Sequence, residues 1–194
     1  MFKEESGLWQ SFREGDRKAF EDLLDVYYRP LFEYGNKFLK DREQAKDSVH
    51  DLFVNLWERR MFLGEVANLR VYLFVAIRNQ IFQKHRKKVL WDGLEDDLDE
   101  NQTGDIDNIE NSIIAEETDI EKSAQLKRTV SLLSKRQQEV IHLKFYENLT
   151  NDQIAQVMNI STPAATNLLS QALKSLREQW RLLFFVLYAL FILL

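Results

Sequence analysis

Cysteine is absent from this 194-residue chain, and glycine and proline are scarce, at six and two residues. Without cysteine the protein has no disulfide framework, no thiolate metal site and no cysteine nucleophile. Because residues that break helices are few and 45% of positions are hydrophobic, the long periodic runs favour an all-helical fold. The start, Met1-Phe-Lys-Glu-Glu5, has no apolar stretch of the kind a secretory leader needs, so we expect a cytoplasmic protein.

The patterns on which most catalytic sites are built are also missing from the sequence. There is no glycine-rich phosphate loop, and His50, His85 and His142 are isolated from one another along the chain. Asp47 and Asp51 flank His50 on one predicted helix, but no further metal ligand is near them. We therefore expect neither an enzyme nor a metal or cofactor site.

Basic residues are outnumbered by acidic ones, 26 to 31, which gives a formal net charge of −5, but the acidic residues are unevenly placed. Residues 89–121 contain thirteen Asp and Glu and no Lys or Arg. Removing those thirteen from the 31 acidic residues leaves 18 against 26 basic ones, a balance of +8. The sequence thus indicates two basic modules joined by an acidic segment that has too little apolar surface to order itself.

Hydrophobic periodicity predicts an all-α protein of two small helical domains. The first domain, 1–90, has predicted helices at about 6–14, 16–39, 41–60 and 68–88. The flexible acidic linker covers 91–119, and the second domain, 120–180, has predicted helices at 120–133 and about 135–147 before a helix-turn-helix. A capping box at Ser134 and Gln137 opens the helix at 135. A hydrophobic tail, 181–194, follows.

The helix-turn-helix is predicted from signals that fix where its two helices start and stop. Thr150 and Gln153 form a capping box at the first start, and Asn159 suits the left-handed turn that ends this helix. Ser161 or Thr162 can cap the second helix, with a proline tolerated in its first turn. Two short helices joined in this way can place the second in a DNA major groove, although a helical hairpin that only packs has the same pattern.

Two helices of the first domain have chemically distinct faces. The helix at 41–60 is amphipathic, and its polar face either is simply solvated or docks a partner. The helix at 68–88 ends in the run Gln83-Lys-His-Arg-Lys-Lys88, which has more cations than a helix C-terminus needs and so suggests phosphate binding. Tyr72 and Phe74 lie upstream of this basic end, where aromatic rings either pack in the core or stack on unpaired bases.

Several motifs occur in a fixed order along the chain. Gly15-Asp16, Ala19-Phe20, Leu23, Tyr27-Tyr28, Leu31 and Tyr34 come first, and Ala45-x-Asp-x-Val-x-Asp-x-Phe-x-x-Leu-Trp57 follows. Next come Tyr72-Leu-x-x-x-x-Arg-Asn79 with Arg86, and then Leu133-Ser-x-Arg-Gln137 ahead of the helix-turn-helix. Over about 8–88 and 121–179 the chain resembles bacterial extracytoplasmic-function sigma factors, the small members of the sigma-70 family.

The resemblance implies core RNA polymerase, promoter DNA and an anti-sigma protein, membrane-bound or not, as partners. The polar face of the 41–60 helix would dock on polymerase through Asp47, His50, Asp51, Val54 and Asn55. The 68–88 helix would hold the melted minus-10 strand through Asn68, Tyr72, Phe74, Arg78, Asn79, Lys84, Arg86, Lys87 and Lys88. The helix-turn-helix would read the minus-35 element through Thr162, Thr166, Asn167, Ser170, Gln171 and Lys174. The acidic linker would occupy the channel used by nascent RNA.

Two features fit the resemblance less closely and leave alternatives open. Between Arg136 and Lys174 the only Lys or Arg is Lys144, so the recognition helix has few phosphate contacts. In the tail, thirteen apolar residues follow Arg181, about 20 Å of helix against roughly 30 Å of membrane hydrocarbon. The tail packs on the protein or a partner, or associates with a membrane through Trp180 and Arg181. The alternatives to a sigma factor are a free-standing helix-turn-helix regulator and a helical adaptor that binds through its tail.

Overall fold

The computed structural model describes residues 2–39, 41–92 and 130–193, and the side chains of these residues except 2–4, 83–92 and 179–193. All regular secondary structure within these ranges is helical, as the sequence predicts. The α-helices are α1 (Phe2–Arg13), α2 (Arg17–Phe38), α3 (Arg42–Arg59), α4 (Leu69–Asp92), α5 (Lys135–Phe145), α6 (Asn151–Met158) and α7 (Thr162–Leu193), with a 3-10 turn at Arg60–Phe62. The predicted acidic linker and most of the predicted helix at 120–133 lie outside the described residues.

The described helices belong to two compact units, the first containing α1 to α4 and the second containing α5 and α7. The exact domain boundaries given above stay a prediction. Within the described ranges, no helix is both long enough and apolar enough to cross a membrane.

Short polar side chains fix the starts of three helices in the first unit. Asp16 accepts a hydrogen bond from the Lys18 N–H at 2.8 Å, and Asp41 accepts one from the Glu43 N–H at 2.8 Å. Asn68 Oδ1 accepts from the Val71 N–H at 2.9 Å. Because each side chain satisfies a backbone donor that the first turn leaves unpaired, these helices start within one residue of their predicted positions.

An aromatic cluster joins α1, α2 and α3. The ring of Phe12 lies 5.2 Å from Trp9, 5.9 Å from Phe20 and 6.0 Å from Trp57, measured between centroids. The Trp9 indole N–H donates to the Gly64 carbonyl at 3.0 Å. Trp9 therefore ties the segment between α3 and α4 to the first helix while its ring remains in the core.

The helices α2, α3 and α4 pack closely where side chains are small. A Cβ at Gly35 of α2 would lie 3.8 Å from the Ala45 Cβ and 3.6 Å from the Ile81 Cδ1. Between α3 and α4, the Gln80 side-chain amide donates to the Ser48 carbonyl at 3.0 Å. These contacts connect α2 to both α3 and α4, and α3 to α4, so one packed unit presents the outward faces of α3 and α4.

In the second unit α5 packs against α7 and starts at the predicted capping box. Ser134 Oγ accepts from the Gln137 N–H at 3.3 Å, and the Gln137 side chain accepts from the Ser134 N–H at 3.2 Å. His142 is not isolated in the fold as it is in the sequence. It is buried on α5, with its Nε2 3.4 Å from Glu147 Oε1 and its ring stacked on Tyr146 at 5.2 Å.

Candidate polymerase and nucleic-acid interfaces

The outward face of α3 is polar and accessible. Four residues of this face are exposed: Asp47, His50, Val54 and Asn55. The exposed fraction of Val54 is 39%, and Asp51 is partly buried. The Asn55 side-chain amide donates to the Asp51 carbonyl at 2.7 Å, which fixes its orientation along the helix. The opposite face is buried through Ala45, Val49, Leu52, Phe53 and Leu56. The five residues predicted to dock a partner thus share one face directed away from the core.

Tyr72 and Phe74, both predicted to bind DNA, lie in different environments in the structure. Phe74 is 0% exposed and meets Tyr34 edge-on, with ring centroids 5.4 Å apart. Its prediction as a DNA-binding residue is wrong for this conformation, because a ring enclosed by protein on both faces cannot stack on a base. Tyr72 is only partly buried and rests against Trp9 at 5.5 Å. Burial raises the pKa of the Tyr72 hydroxyl, so the phenol is neutral at physiological pH.

The remaining predicted residues of α4 differ in how they are engaged. Asn68 uses its side-chain oxygen as the helix cap, which leaves its amide N–H groups for other contacts. The Arg78 guanidinium lies over the Phe82 ring at 4.6 Å, and Asn79 is exposed. The α4 backbone continues as helix through Lys84, Arg86, Lys87 and Lys88, whose side chains lie outside the described set.

The 3-10 turn before α4 contains two exposed apolar residues that sequence reasoning missed. Met61 is 78% exposed and Phe62 is 85% exposed. Continuing the helical period of α3 at 100° per residue places both off the buried stripe, which is the signal that could have revealed them. The neighbouring Arg60 is held locally, since its guanidinium lies 4.3 Å from the Trp57 ring and donates to the Trp57 carbonyl at 2.7 Å.

The helix-turn-helix has the predicted starts and turn. Thr150 Oγ1 accepts from the Gln153 N–H at 3.3 Å, and Gln153 Oε1 accepts from the Thr150 N–H at 2.8 Å, which completes the capping box. Asn159 has φ of 53°, in the left-handed region. Of the two candidate caps for α7 it is Ser161 that serves, accepting from the Ala164 N–H at 3.4 Å.

Two of the predicted DNA-reading side chains are used within the protein. The Thr162 hydroxyl donates to Asp152 Oδ1 at 2.8 Å. The Thr166 hydroxyl donates to the Thr162 carbonyl at 3.0 Å and accepts from the Asn151 side-chain amide at 3.1 Å. These bonds connect the first turn of α6 to the first turn of α7, so Thr162 and Thr166 help to set the angle between the two helices.

The rest of the reading face of α7 is polar and nearly neutral. Asn167, Ser170 and Gln171 line it, and Asn167 and Gln171 are exposed. Lys174 is also exposed, and its Nζ lies 3.9 Å from Glu178 Oε1, one turn further along the helix. Amide side chains can form paired hydrogen bonds with the edge of adenine, whereas hydroxyl groups can bond to different bases without distinguishing them. This face can therefore read bases but supplies little charge for phosphates.

The sequence of the second unit matches a known family model. The model described as sigma-70, region 4, matches residues 123–176. Over 173 residues, 87% of this chain and 92% of the relative, the chain is 20% identical to the ECF RNA polymerase sigma factor SigW of Bacillus subtilis (strain 168). Over 162 residues, 84% of this chain and 92% of the relative, it is 22% identical to the RNA polymerase sigma factor YlaC of the same organism.

Two solved structures share the fold. One is CnrH in complex with the cytosolic domain of CnrY, with a TM-score of 0.62, 18% sequence identity and coverage of 90% of this chain and 95% of that one. The other is the sigma factor RpoE in complex with the anti-sigma factor NepR from Bartonella quintana, with a TM-score of 0.61, 19% identity and coverage of 84% and 98%.

Proposed function

This chain belongs to the extracytoplasmic-function group of the sigma-70 family and directs the initiation of transcription, and on that premise we propose a division of work between its two helical units. The first unit binds core RNA polymerase and holds the melted minus-10 strand. The second reads the minus-35 element in duplex form. The observation that carries the proposal is the coincidence of the region 4 match, 123–176, with a helix-turn-helix that presents exposed amide side chains on its second helix.

Polymerase docking is assigned to the outward face of α3. Its side chains combine carboxylates, an imidazole and an amide around one exposed valine, Val54. An exposed apolar residue within a polar rim is the arrangement that protein interfaces use for a buried anchor. Since the opposite face of α3 is fully used in the core, the docking residues can change without loss of packing.

Strand capture is assigned to α4 and the 3-10 turn before it. Tyr72, Met61 and Phe62 offer partly or fully exposed apolar surface beside the helix, and unpaired bases stack on such surfaces. The cationic run that ends with Lys88 supplies the counter-charge for the strand phosphates. With Phe74 in the core, Tyr72 is the ring of α4 that we assign to base stacking.

The second unit has the weaker hold on DNA. Asn167 and Gln171 would contact base edges directly, and Lys174 would give one of the few phosphate contacts. The Lys174 ammonium also lies near the Glu178 carboxylate, which offsets part of its charge. Since phosphate contacts supply much of the affinity for DNA, most of the promoter affinity comes from the first unit and from polymerase itself.

We further propose that the chain acts in the cytoplasm as a non-catalytic subunit. The two solved structures described above are complexes, one of them of a sigma factor with an anti-sigma factor. By that likeness we expect an anti-sigma protein to compete with polymerase for this chain.

The proposal is tested by run-off transcription with purified core RNA polymerase and a library of promoter templates. We expect transcripts from a subset of templates only when the chain is present. Absence of any promoter-dependent transcript at every salt concentration, with protein shown to be folded by circular dichroism, would contradict the proposal.

The docking face has matched variants. We expect Asp51→Lys and Val54→Asp to weaken binding to core polymerase by about tenfold or more, as changes at interface centres do, without altering thermal unfolding. Asp25→Lys and Val26→Asp are the controls, because Asp25 and Val26 are exposed residues of α2 in the same unit. Equal effects of the two pairs on polymerase binding, measured by fluorescence anisotropy, would remove the assignment to α3.

A further inference from the structure

The hydrophobic tail is the feature of the chain that the proposed function does not use. Thirteen residues after Arg181 contain no charged side chain, and Tyr188 supplies the only polar side-chain group among them. The tail is not a separate element, because α7 runs without interruption from Thr162 to Leu193. Any account of the tail must therefore explain an apolar helix attached rigidly to the recognition helix.

A helix that is apolar on all sides needs a different environment from an amphipathic one. The helix α3 has a buried face and a polar face, so packing on one surface satisfies it. After Arg181 the sequence has no charged residue at any position of the helical period and no polar group except the Tyr188 hydroxyl, and a groove on a protein would cover only part of such a helix. Lipid acyl chains enclose a helix completely, and the backbone groups that pair within the helix need no partner from hydrocarbon, which leaves only the carbonyls of the last turn to be satisfied.

The residues before the apolar stretch suit the boundary between lipid and water. Trp180 and Arg181 immediately precede it, and Arg177 and Lys174 lie about one and two turns further back. Glu178 is the only acidic residue from Lys174 onward, so this segment is cationic overall. Tryptophan and cations are the side chains enriched at headgroup depth, where cations gain from anionic lipids.

The described part of the apolar helix is long enough to enter a leaflet. Residues 182–193 are helical and extend about 18 Å at 1.5 Å per residue, and one leaflet contributes about half of the roughly 30 Å of hydrocarbon. We propose that the hydrophobic tail inserts into a lipid bilayer, anchored at the headgroups by Trp180 and Arg181 and strengthened by anionic lipid. This inference is independent of the function proposed above.

Flotation of the purified full-length chain with lipid vesicles tests the inference. Vesicles of phosphatidylcholine alone are compared with vesicles that also contain phosphatidylglycerol. We expect the chain to float with both and to bind the anionic vesicles more tightly, with the difference lost at high salt. Quenching of Trp180 fluorescence by brominated lipid, obtained as the difference between wild type and Trp180→Phe, should locate this residue near the headgroups.

Matched substitutions on one helix separate lipid insertion from other effects. Leu187→Asp puts a charge at the middle of the apolar stretch and should weaken partitioning about a hundredfold. Leu173→Asp makes the same change on an exposed leucine of α7 before the tail and should leave flotation with phosphatidylcholine vesicles unchanged. Circular dichroism checks that both variants are as helical as wild type apart from the tail.

Two results would overturn the inference. One is a folded wild-type chain that floats with neither kind of vesicle. The other is a wild-type chain that is oligomeric in water by sedimentation velocity and does not bind the vesicles, together with a Leu187→Asp variant that is monomeric. The tail would then bind copies of itself rather than lipid.

Discussion

Single residues decide the geometry of the turns around the helix-turn-helix. Asn148 and Asn159 both have positive φ, 54° and 53°, where most side chains clash with their own backbone. Asn159 lies between α6 and α7, so its conformation sets the direction in which the recognition helix leaves the turn. The sequence predicted this site because asparagine tolerates the left-handed region better than other non-glycine residues.

Substitutions at Asn159 should separate backbone conformation from side-chain chemistry. We expect Asn159→Gly to change the free energy of unfolding little, whereas Asn159→Ala should lower it by about 1 kcal/mol, the cost of left-handed backbone for a residue with a Cβ. Urea denaturation measures both, with Asn167→Ala, an exposed position within a regular helix, as the control. Equal decreases for Gly and Ala would show that side-chain interactions, not φ, matter at 159.

Tyr27 gives the first unit a dependence on alkaline pH. Its ring is 1% exposed and its hydroxyl donates to Glu5 at 3.1 Å. Burial and then the nearby Glu5 carboxylate raise the Tyr27 pKa far above its usual value. The folded state therefore keeps the phenol neutral, so its contribution to stability is complete below about pH 10, the pKa of an unfolded tyrosine.

Above about pH 10 the unfolded chain loses this proton first, and the free energy of unfolding should fall, with a contribution from Tyr27 approaching about 1.4 kcal/mol per pH unit. We expect Tyr27→Phe to flatten this slope and to lower stability at neutral pH. Tyr28→Phe, a change at an exposed neighbour, should do neither. Denaturation curves across the alkaline range measure the slopes, and an unchanged slope in Tyr27→Phe would be evidence against this account.

At the scale of whole elements, helix existence followed from the sequence but the buried side of α4 did not. The helical spacing of the apolar residues in the sequence predicts one stripe on α4, made of Leu69, Tyr72, Leu73, Ala76 and Ile77. The buried residues are instead Leu69, Val71, Leu73, Phe74, Ile77 and Ile81, an arc centred about a quarter turn away. Both α2 and α3 pack against α4, and α1 touches it as well, so several neighbours bury a wide arc. The amino-acid sequence shows which residues of a helix are apolar, but not how many other helices will pack against it.

The corrected face of α4 predicts opposite outcomes for its two aromatic residues. Phe74→Ala should cost about 3–5 kcal/mol of unfolding free energy, since a fully buried ring is removed and a cavity remains. Tyr72→Ala should cost less than half of that and should instead slow promoter opening, measured with a fluorescent reporter in the minus-10 strand. Phe74→Leu, which keeps most of the volume, is the control for folding. A stable Phe74→Ala chain with a defect in promoter opening would restore Phe74 as a DNA-binding residue.

At the scale of the whole molecule, the net charge conceals segments of opposite sign. The chain totals −5, yet the part outside 89–121 is positive. The sequence alone was sufficient for this conclusion, because the distribution of charge along the chain follows from counting acidic and basic residues and does not depend on how the helices pack. The side chains of Lys84 to Lys88 lie outside the described set, so their role stays a prediction.

The basic end of α4 should dominate the salt dependence of promoter binding. We expect replacing Lys84, Arg86, Lys87 and Lys88 by Gln to impair open-complex formation and to reduce the slope of log affinity against log salt by about one for each phosphate that is no longer neutralised. Lys18→Gln and Lys46→Gln are the controls, since these lysines pair with Asp22 at 2.8 Å and Glu43 at 2.6 Å on their own helices. Equal slopes for both sets would mean that polymerase, not α4, neutralises the strand.

The uninterrupted helix α7 has a consequence for orientation. Between Pro163 and Leu194 there is neither glycine nor proline, so α7 has no hinge at which one end could turn without the other. Gln171 and Leu182 are about 16 Å apart along its axis and related by a fixed angle. A partner that holds the C-terminal end of α7 therefore also fixes the direction in which Asn167 and Gln171 face around the helix axis. Inserting one residue before Arg181 would rotate these two residues by about 100° about the helix axis relative to the tail, whereas inserting seven would nearly restore the original angle.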